Sequence, residues 1–560
     1  MSPEQAADLL CDWFRGLYHA DQVSASSPAF SWPFSSEEFL MGLRQLPLTK
    51  ALDPLYAPAP FWRWAAESIS AHLDTFLRSC GQDGTVPKCW GRGHLCFLPK
   101  TKSRTQRPQD LRPIALLEPC GKVLMGCLSD RLHEQLWPTL RGLPQFAYVP
   151  GRGCDDALHR IASHCREVRA IVDSYKYAVH QQSIGAMPGE LGGGVLLSLD
   201  LSKAFDAVNR AQLYQGMEEL GVDRNLILFL QSVYDGTSFS FEYKNCHREF
   251  ATLKGIRQGC KAAPRLWTIQ AVLILMSIAS DINEQWMLHH STLFADDGCF
   301  HQVVNSLSEL RTLLTYLGRV LDILEAADMT VNLEKTTALL RLVGPLSNKA
   351  HSLFVRRGKQ GGAWLKIPRK NGMFTYIRLA QHIQYLGATV SYYNFERQTM
   401  LSRLKAGEKT SHQLTRWLHT TKGFNSRQKV KVWRQCIYAC FRYSLLPIGF
   451  TLQSLKLFDV ACFKHLRRIC RMPTHLHRNT HQDFLTQHNI PDPLELLQHF
   501  CIQAAQRDLQ RRLQLADNDI LHCLPDIDYG QRCQVLDQAL RQFRECSGTF
   551  EVPSTDRHCL

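Results

Sequence analysis

The chain has 560 residues, 45% of them hydrophobic, which is enough to bury a core in more than one lobe. Its net charge of +14 indicates a polyanionic partner. The polar start predicts no secretory signal, and twenty scattered cysteines without a Cys-x-x-Cys pair predict reduced thiols in an intracellular protein.

The first half of the chain contains one pattern that combines an apolar run with an acid. Residues 1–35 predict a short extension with a Ser/Pro-rich run at 24–36, and residues 181–194 predict a glycine-rich loop. The apolar run that follows predicts a strand ending in Asp200. Asp206 is predicted to be satisfied by backbone amides at a helix start, and Asn209 to begin a helix that stops at Gly221.

Two adjacent carboxylates, Asp296 and Asp297, stand with Gly298 between two apolar segments. The pattern predicts strand, tight turn and strand, because Asp-Gly suits a hairpin turn with positive φ. Adjacent like charges repel, and a divalent cation between them and a further carboxylate makes the arrangement favourable. With Asp200 at a strand end, the hairpin matches a two-metal site with cations about 3.5–4 Å apart. The alternative for the hairpin alone is an ordinary solvent-exposed turn.

Two later segments differ in composition from the rest. The longest apolar stretch, around residues 271–279, is far short of the roughly 20 residues that cross a membrane, so it predicts a buried helix and no membrane partner. Residues 343–378 form a basic, glycine-containing segment with Trp364 and Lys366 that predicts hairpins.

The strongest charge imbalance lies between residues 397 and 478, which contain 17 Lys/Arg and two acids. Apolar residues recur there at helical spacing, as in Val430, Trp433, Ile437 and Phe441, so the segment predicts helices with an apolar face inward and a basic face outward. The predicted contacts to nucleic-acid phosphates lie on neighbouring turns and are Lys464, Arg467, Arg468 and Arg471.

The histidines at 475, 477 and 481 do not have the spacing of a zinc finger or knuckle. We therefore expect these histidines to be polar surface residues and not zinc ligands. The tail from residue 501 predicts a helix that begins amphipathic, with Ile502, Ala505, Leu509 and Leu513 on one face, and ends polar.

Eight segments in order resemble the motifs of reverse transcriptases, most closely those of non-LTR (LINE-type) retrotransposons. The segment Asp200-Leu-Ser-Lys-Ala-Phe-Asp206 resembles motif A, and Phe294-Ala-Asp-Asp297 resembles motif C. The other resembling segments are residues 98–100 and 110–117 (fingers motifs), 145–156, 255–260 (motif B), 332–336 (motif D) and 385–387 (motif E). Motif B departs from the usual pattern at 261–263, and no departure removes a catalytic group.

The resemblance implies the chemistry of the acids. Asp200, Asp296 and Asp297 would be catalytic carboxylates that bind two Mg²⁺ ions, with Mn²⁺ as a substitute, and the Leu201 carbonyl would complete the site. Asp297 would either bind a metal or assist without direct ligation. Lys335 would be a general acid for pyrophosphate release, the alternative being a solvated lysine at a helix end.

The resemblance also implies a nucleotide site. Lys100 and Arg112 would bind the triphosphate, since a guanidinium suits bidentate phosphate contact. Gln258 and Gly259 would line the nascent base pair. Phe205 would clash with a 2′-hydroxyl and so select deoxynucleotides, the alternative being a core aromatic.

The implied fold class is α+β, a right-hand polymerase. Its predicted parts are an N-terminal extension at 1–35, fingers at 36–150, a palm at 151–395 with the basic insertion 343–378, a basic helical thumb at 396–500 and a helical tail at 501–560. The implied partners are an RNA template, a DNA primer and dNTPs, and by analogy the enzyme acts in the nucleus.

Three functions are compatible with these residues. The first is an RNA-directed DNA polymerase that extends a DNA 3′ end. The second is a related enzyme of the intron-maturase or telomerase type, for which we find no accessory module. The third is a catalytically inactive or domesticated RNA-binding relic, which predicts a lost acid, whereas all three acids are present. The sequence leaves open whether the chain is a fragment, a truncated element copy or a domesticated gene.

Overall fold

The computed structural model describes residues 2–20, 28–49, 51–100, 107–176, 189–358, 361–420, 423–475 and 479–545. Within them the chain combines helices with three β-sheets, which confirms the α+β class. The strands are β1 Arg92–Pro99, β2 Leu111–Leu117, β3 Gly192–Asp200, β4 Ser238–Tyr243, β5 Cys246–Ala251, β6 Ser291–Phe294, β7 Asp297–Val304, β8 Thr337–Val343, β9 Val355–Arg357, β10 Ala363–Pro368, β11 Phe374–Leu379, β12 Ile383–Tyr385 and β13 Ala388–Val390.

The helices before the basic C-terminal segment surround two of these sheets. They are α1 Pro3–Leu17, α2 Ser36–Arg44, α3 Ala59–Trp64, α4 Ala66–Gln82, α5 Lys88–Gly91, α6 Pro119–Leu140, α7 Cys154–Lys176, α8 Ala204–Ala207, α9 Arg210–Glu219, α10 Arg224–Asp235, α11 Ala263–Asp281, α12 Glu284–His290, α13 Leu307–Ala326 and α14 Ser347–Phe354.

The helices of the C-terminal part pack on one another around their own core. They are α15 Phe395–Gln413, α16 Thr415–Leu418, α17 Ser426–Trp433, a π-helical turn Arg434–Tyr438, α18 Ala439–Arg442, α19 Leu445–Ile448, α20 Leu452–Cys470, α21 His481–His488, α22 Pro493–Arg512 and α23 Tyr529–Glu545. Short 3₁₀ turns lie at Pro108–Asp110 and Ile520–Cys523.

The four-stranded sheet has the order β2-β1-β4-β5 and joins distant parts of the chain. Helix α1 packs against it, and the Phe14 ring stacks on Phe97 with ring centroids 5.0 Å apart. The segment predicted as an N-terminal extension, residues 1–35, therefore contains a helix whose apolar face is part of the main core. The boundary predicted at residue 150 also crosses this sheet, since β1 pairs with β4.

The seven-stranded sheet has the order β6-β7-β3-β8-β11-β10-β9. Helix α7 covers one face of its central strands, and α13 covers the other. The prediction of a loop up to residue 194 is wrong for 192–194, which are in β3; residues 181–188 lie outside the described part. A β-carbon on Gly194 would approach Val168 of α7 to 2.3 Å, so glycine lets helix and strand pack closely.

The basic segment 343–378 extends this sheet at one edge. Strands β10 and β11 form an antiparallel hairpin, β9 pairs antiparallel with β10, and β11 runs parallel to β8. These pairings confirm the predicted hairpins. Helix α14, between β8 and β9, is an additional element that the sequence reasoning missed.

In the C-terminal helices, the structure confirms one of the predicted apolar faces and contradicts another. Trp433, Ile437 and Phe441 are buried in the C-terminal core, as their spacing predicts. The amphipathic face predicted for the tail is wrong, because Leu509 is 62% exposed. Helix α22 instead buries Leu494, Leu497 and Cys501, which belong to the C-terminal core together with residues of α20, α21 and α23.

Helix α11 contains the predicted apolar stretch and is longer than it. Its 19 residues are long and apolar enough, by length and composition, to cross a membrane, and 61% of the apolar window is buried inside the protein. Leu266, Trp267 and Leu275 are among the residues that pack it into the main core. Burial of this kind is typical of a core helix in a water-exposed domain.

Candidate active site

The hairpin between β6 and β7 has a two-residue turn at Ala295 and Asp296, closed by the pair Phe294 and Asp297. Ala295 has a φ of 54°, which costs roughly 1 kcal/mol for a residue with a β-carbon. The hairpin prediction is correct, but the positive φ is at Ala295 and not at Gly298, which is in β7. The turn leaves the side chain of Asp296 exposed.

Three carboxylates meet where β3 ends beside this hairpin. Asp200 lies directly opposite Asp297 in the antiparallel ladder, and Asp296 is the adjacent turn residue. Burial, followed by repulsion from Asp296 and Asp200, raises the pKa of Asp297 to about 6. Like charges in directly opposed strand positions destabilise a sheet. The arrangement therefore favours a bound cation.

The loop from 330 to 336 fixes the position of Asp200 through its backbone. The Ser202 amide donates to the Thr330 carbonyl at 2.8 Å, and the Asn332 amide donates to the Asp200 carbonyl at 2.8 Å. The Asp200 amide donates to the Thr336 hydroxyl at 3.2 Å. Lys335 is thereby held at the site, with its Nζ 3.5 Å from Asp200 Oδ2, and remains 68% exposed.

A cleft of about 1100 Å³ opens in front of these carboxylates. It brings Asp200, Leu201 and Asp296 together with the predicted nucleotide residues, which are Lys100, Arg112, Phe205, Gln258, Gly259 and Lys335. Lys100 is positioned by a hydrogen bond from its Nζ to the Gln109 carbonyl at 2.8 Å. The cleft is thus lined both by acids and by cations, among them Lys100 and Arg112 at the β1–β2 hairpin.

Gln258 and Gly259 lie where the segment after β5 crosses β2. The Ala115 amide donates to the Gln258 carbonyl at 2.8 Å. Gly259 has a φ of 108°, and a β-carbon there would come within 2.4 Å of the Ala115 carbonyl oxygen. Only glycine allows the two backbones to approach this closely. Gly259 is therefore required for the crossing of the two segments, and it also lines the cleft.

Asp206 is buried and accepts hydrogen bonds from two side chains. The Tyr18 hydroxyl donates to Asp206 Oδ1 at 2.8 Å, and Gln258 Nε2 donates to the same oxygen at 3.1 Å. The prediction that backbone amides satisfy Asp206 is wrong, because helix α8 is only one turn long and presents the carboxylate to side chains of other elements. Asn209 does cap the next helix, as predicted.

Phe205 lies in the cleft wall against Trp267. The two rings stack with centroids 5.1 Å apart and an interplanar angle of 18°. Phe205 is half-buried and so is both a core contact and part of the cleft surface. This position is compatible with both predicted roles of the side chain.

Comparison with known families identifies the chain. The family model described as "Reverse transcriptase (RNA-dependent DNA polymerase)" matches residues 98–390, more than half of the chain. The chain belongs to the reverse transcriptase family. The match includes β3, the β6–β7 hairpin and the loop that holds Lys335, so it covers the carboxylate site.

The related proteins come from non-LTR retrotransposons. This reverse transcriptase chain is 25% identical over 257 residues to the Pol polyprotein of the type-2 element R2DM of Drosophila melanogaster, covering 45% of this chain and 22% of that protein. It is 25% identical over 256 residues to the corresponding protein of the type-1 element R1 of Bradysia coprophila, covering 45% and 22%. The RNA-directed DNA polymerase of the mobile element jockey of Drosophila melanogaster is 24% identical over 454 residues, covering 79% and 44%.

These alignments cover less than half the length of each relative, so they relate this reverse transcriptase chain to a part of those proteins. Among solved structures, apo telomerase from Candida tropicalis, truncated from its C-terminal domain, covers 61% of this chain and 60% of that one. The identity is 11% and the TM-score 0.34, from which we infer no fold.

The donor set of the reverse transcriptase site fits divalent metal ions. The carboxylates of Asp200, Asp296 and Asp297 are oxygen donors of the kind that Mg²⁺ and Mn²⁺ prefer, and no Arg pairs with them among the described residues. In the described part of the chain, these side chains do not form a preassembled group of three that could hold a metal ion as they stand. Lys335, the one cation that pairs with Asp200 in the described part, is mostly exposed and so free to move away.

The predicted phosphate contacts on α20 divide into two groups. Lys464, Arg468 and Arg471 are exposed, whereas Arg467 is 3% exposed. The Arg467 guanidinium donates to the Asn479 carbonyl at 2.9 Å and lies over the Phe484 ring. The prediction is wrong for Arg467, because the helix turns it toward α21 and away from solvent.

Two cleft residues escaped the sequence reasoning. Tyr148 lines the cleft with a φ of 60°, and burial followed by the charge of Asp296 raises its pKa. Lys203 also lines the cleft, with its Nζ 4.4 Å from the centroid of the Trp13 ring. Both residues lie within segments that resemble reverse transcriptase motifs, and this position in the sequence could have marked them as candidates.

A buried histidine cluster lies behind the hairpin and was also missed. The rings of His164 on α7 and His301 on β7 have centroids 4.8 Å apart, and His290 is 6.2 Å from His301. His164 Nε2 is 3.0 Å from the Tyr392 hydroxyl. Burial lowers the pKa of His164 to about 3 and that of His290 to about 4, so both are neutral at pH 7.

Proposed function

We propose that the chain is an RNA-directed DNA polymerase of a non-LTR retrotransposon that extends a DNA 3′ end on an RNA template with dNTPs. The observation that carries this proposal is an open cleft lined by the carboxylates Asp200 and Asp296 together with Lys100 and Arg112, with Asp297 directly opposite Asp200 in the strand ladder. Nucleotidyl transfer requires both kinds of group, acids for the metals and cations for the triphosphate.

Asp200, Asp296 and the Leu201 carbonyl are the proposed ligands of two Mg²⁺ ions, for which Mn²⁺ can substitute, with Asp297 as a further carboxylate. Bound ions would activate the attacking 3′-hydroxyl and stabilise the leaving pyrophosphate. The contribution of the chain is positional: β3 and the hairpin hold the acids together, and the loop from 330 to 336 holds Asp200 by its backbone.

The nucleotide is proposed to lie across the cleft. Lys100 and Arg112 contact the triphosphate, and Lys335 donates a proton to the leaving pyrophosphate once it is released from Asp200. Gln258 and Gly259 line the nascent base pair. Phe205 is placed under the sugar, where it rejects a 2′-hydroxyl. Each role is a contact with the substrate or with a reacting group, and each residue lines the cleft.

The proposed architecture is a right hand. Fingers correspond to residues 36–150, the palm to 151–395 and the basic thumb to 396–500, with Lys464, Arg468 and Arg471 facing the template–primer backbone. Strands β4 and β5, which belong to the proposed palm range, pair in one sheet with β1 and β2 of the proposed fingers, and the N-terminal helix packs against this sheet. Action in the nucleus follows by analogy with the mobile elements and is part of the proposal.

The test is primer extension on an RNA template with a DNA primer, Mg²⁺ and dNTPs. We expect extension by the wild-type chain and a loss of at least about 100-fold in the Asp296→Asn variant, since the substitution removes one metal-binding charge. Asp517→Asn, an exposed aspartate outside the cleft, is the matched control and should extend normally.

A folded chain that binds the primer–template and yet does not extend it, with Mg²⁺ or Mn²⁺, would contradict the proposal and favour an RNA-binding relic. Extension that persists in Asp296→Asn would contradict the assignment of the carboxylate site. Circular dichroism on both variants establishes that each is folded.

A further inference from the structure

The outer surface of β9, β10 and β11 carries aromatic and basic side chains that have no role in the proposed polymerase site. Six side chains point to the same face of this part of the sheet, and we call them the aromatic-basic face: Arg356, Trp364, Lys366, Phe374, Tyr376 and Arg378. Their strand register places them in three cross-strand rows, in which Arg356, Trp364 and Arg378 form the first, Lys366 pairs with Tyr376, and Pro368 pairs with Phe374.

The opposite face of the same strands is closed. Leu365, Ile367 and Ile377 are fully buried against α13 in the main core. Because side chains alternate along a strand, this burial fixes the six residues on the other side. Phe374 and Tyr376 there are 45% and 37% exposed. Both side chains are therefore accessible from solvent.

The charge of this region is one-sided. Residues 335–395 contain ten Lys/Arg and no Asp or Glu. Arg369 and Lys370 are neutralised on the closed side by Asp322, Glu325 and Asp281. The cations of the aromatic-basic face have no carboxylate partner among the residues that the structure describes. Instead, Lys366 Nζ lies 4.0 Å from the Phe374 ring centroid and the Arg356 guanidinium 5.2 Å from that of Tyr376.

The turn beside β10 is built around Trp364. A β-carbon on Gly358 would come within 2.7 Å of the Trp364 ring, and one on Gly362, whose φ is 124°, within 2.9 Å. The absence of side chains on these two glycines therefore leaves room for the indole ring. A Trp held in this way on a half-exposed surface has a fixed orientation, so little entropy is lost when a planar group stacks on it.

We propose that the aromatic-basic face binds a single-stranded nucleic acid outside the cleft, with bases stacked on Phe374, Tyr376 and Trp364 and phosphates on Arg356 and Arg378. Interleaved rings and unpaired cations on a sheet are the chemistry that recognises single strands. Arg378 is in register with Thr337, which is in register with Ser198 of β3, so the face begins two strands, or about 10 Å, from the strand that ends in Asp200. A strand that leaves the cleft can reach it. The inference does not depend on polymerase activity.

The test measures the affinity of the full chain for a 20-nucleotide single strand, as RNA and as DNA of the same sequence, by fluorescence anisotropy. The double variant Phe374→Ala/Tyr376→Ala should bind at least about tenfold more weakly, since each stacked ring contributes about that factor. Phe61→Ala/Trp64→Ala, which removes two exposed rings on α3, is the matched control and should bind like the wild type.

A second pair separates charge from stacking. Arg356→Gln/Arg378→Gln should lower the slope of log affinity against log salt by about 1.4, the value for two lost phosphate contacts on a single strand. Arg63→Gln/Lys349→Gln removes two exposed cations elsewhere and should leave the slope unchanged.

Photo-crosslinking with 4-thiouridine RNA, followed by peptide mapping, localises the bound strand. Crosslinks at residues 363–378 together with the tenfold loss would support the proposal, and the nucleic acid that loses more affinity identifies the strand as RNA or DNA. Equal affinities in the aromatic variant and its control, or crosslinks confined to the cleft, would overturn it. Neither result depends on nucleotide incorporation, so failure of primer extension is a separate outcome.

Discussion

Tyr18, on the first helix, donates a hydrogen bond of 2.8 Å to Asp206, which in turn accepts one from Gln258 in the cleft wall. The first helix is thus connected to a proposed nucleotide contact through one buried carboxylate. Asp206 and Tyr18 are both almost completely buried, so neither can replace the other's hydrogen bond with one to water.

Removal of the Tyr18 hydroxyl should therefore affect both stability and nucleotide binding. We expect Tyr18→Phe to lower the free energy of unfolding by about 1 kcal/mol and to raise the KM for dNTP about threefold, with a smaller change in kcat. Steady-state primer extension measures the second effect. Tyr175→Phe, which removes an exposed hydroxyl far from the cleft, is the control. A stability loss with an unchanged KM would limit Tyr18 to folding.

The sugar selectivity proposed for Phe205 can be separated from its packing on Trp267. Phe205→Val should raise the incorporation of ribonucleotides relative to deoxynucleotides by roughly 10- to 100-fold, because a smaller side chain leaves room for the 2′-hydroxyl. Single-nucleotide extension with dCTP and CTP measures the ratio. If thermal stability falls while the ratio stays the same, Phe205 is a core aromatic only.

The buried histidines predict acid sensitivity of the fold. The pKa of His164 is lowered to about 3, mainly by burial and further by His290 once that ring is protonated, with His301 and Arg160 also nearby. Below pH 6.5 the unfolded chain binds a proton that the folded chain excludes, so stability is present above 6.5 and is lost as the pH falls toward 3. His164 alone should contribute a loss of about 3 kcal/mol between pH 6.5 and 4.

This acid effect is measured by urea unfolding at both pH values. In His164→Gln, which keeps a polar group near Tyr392, the loss between the two pH values should be smaller than in the wild type. His289→Gln changes an exposed histidine on the same helix as His290 and should behave like the wild type. An unchanged pH dependence in His164→Gln would contradict the prediction.

Two adjacent arginines on α20 should respond in opposite ways. Arg467→Ala removes a buried guanidinium that binds the Asn479 carbonyl and packs on Phe484, so we expect a loss of about 2–4 kcal/mol in stability. Arg468→Ala should leave stability within about 0.5 kcal/mol and weaken binding of a primer–template, most at low salt. Urea unfolding and a salt titration of binding measure the two effects. Equal effects on stability would contradict the division of α20 into an inner and an outer side.

The sequence alone was sufficient to predict those elements of the site that depend on neighbouring residues. The strand ending in Asp200, the hairpin with Asp296, and the helix capped by Asn209 all follow from local pattern, and the structure bears them out. These features depend on backbone preference and on side chains within a few positions of one another, which a single sequence contains.

Other features depend on contacts between distant segments, and local pattern could not reveal them. Glycines at 192–194 suggest a loop until α7 is placed against them, when the absence of side chains becomes a packing requirement. Arg467 and Arg468 are equally basic in sequence, and only the position of α21 decides which one is buried. The partners of Asp206 come from residues 18 and 258.

The packing of helix α1 has a consequence for how the molecule can be divided. The family match begins at residue 98, yet Tyr18, which lies before it, contacts the rings of Phe239 and Phe250 within it. A fragment excised at residue 98 would leave those rings facing water and Asp206 without one of its donors. The region that the family model matches is therefore smaller than the unit that packs as one core, and truncation to it should yield an aggregation-prone chain.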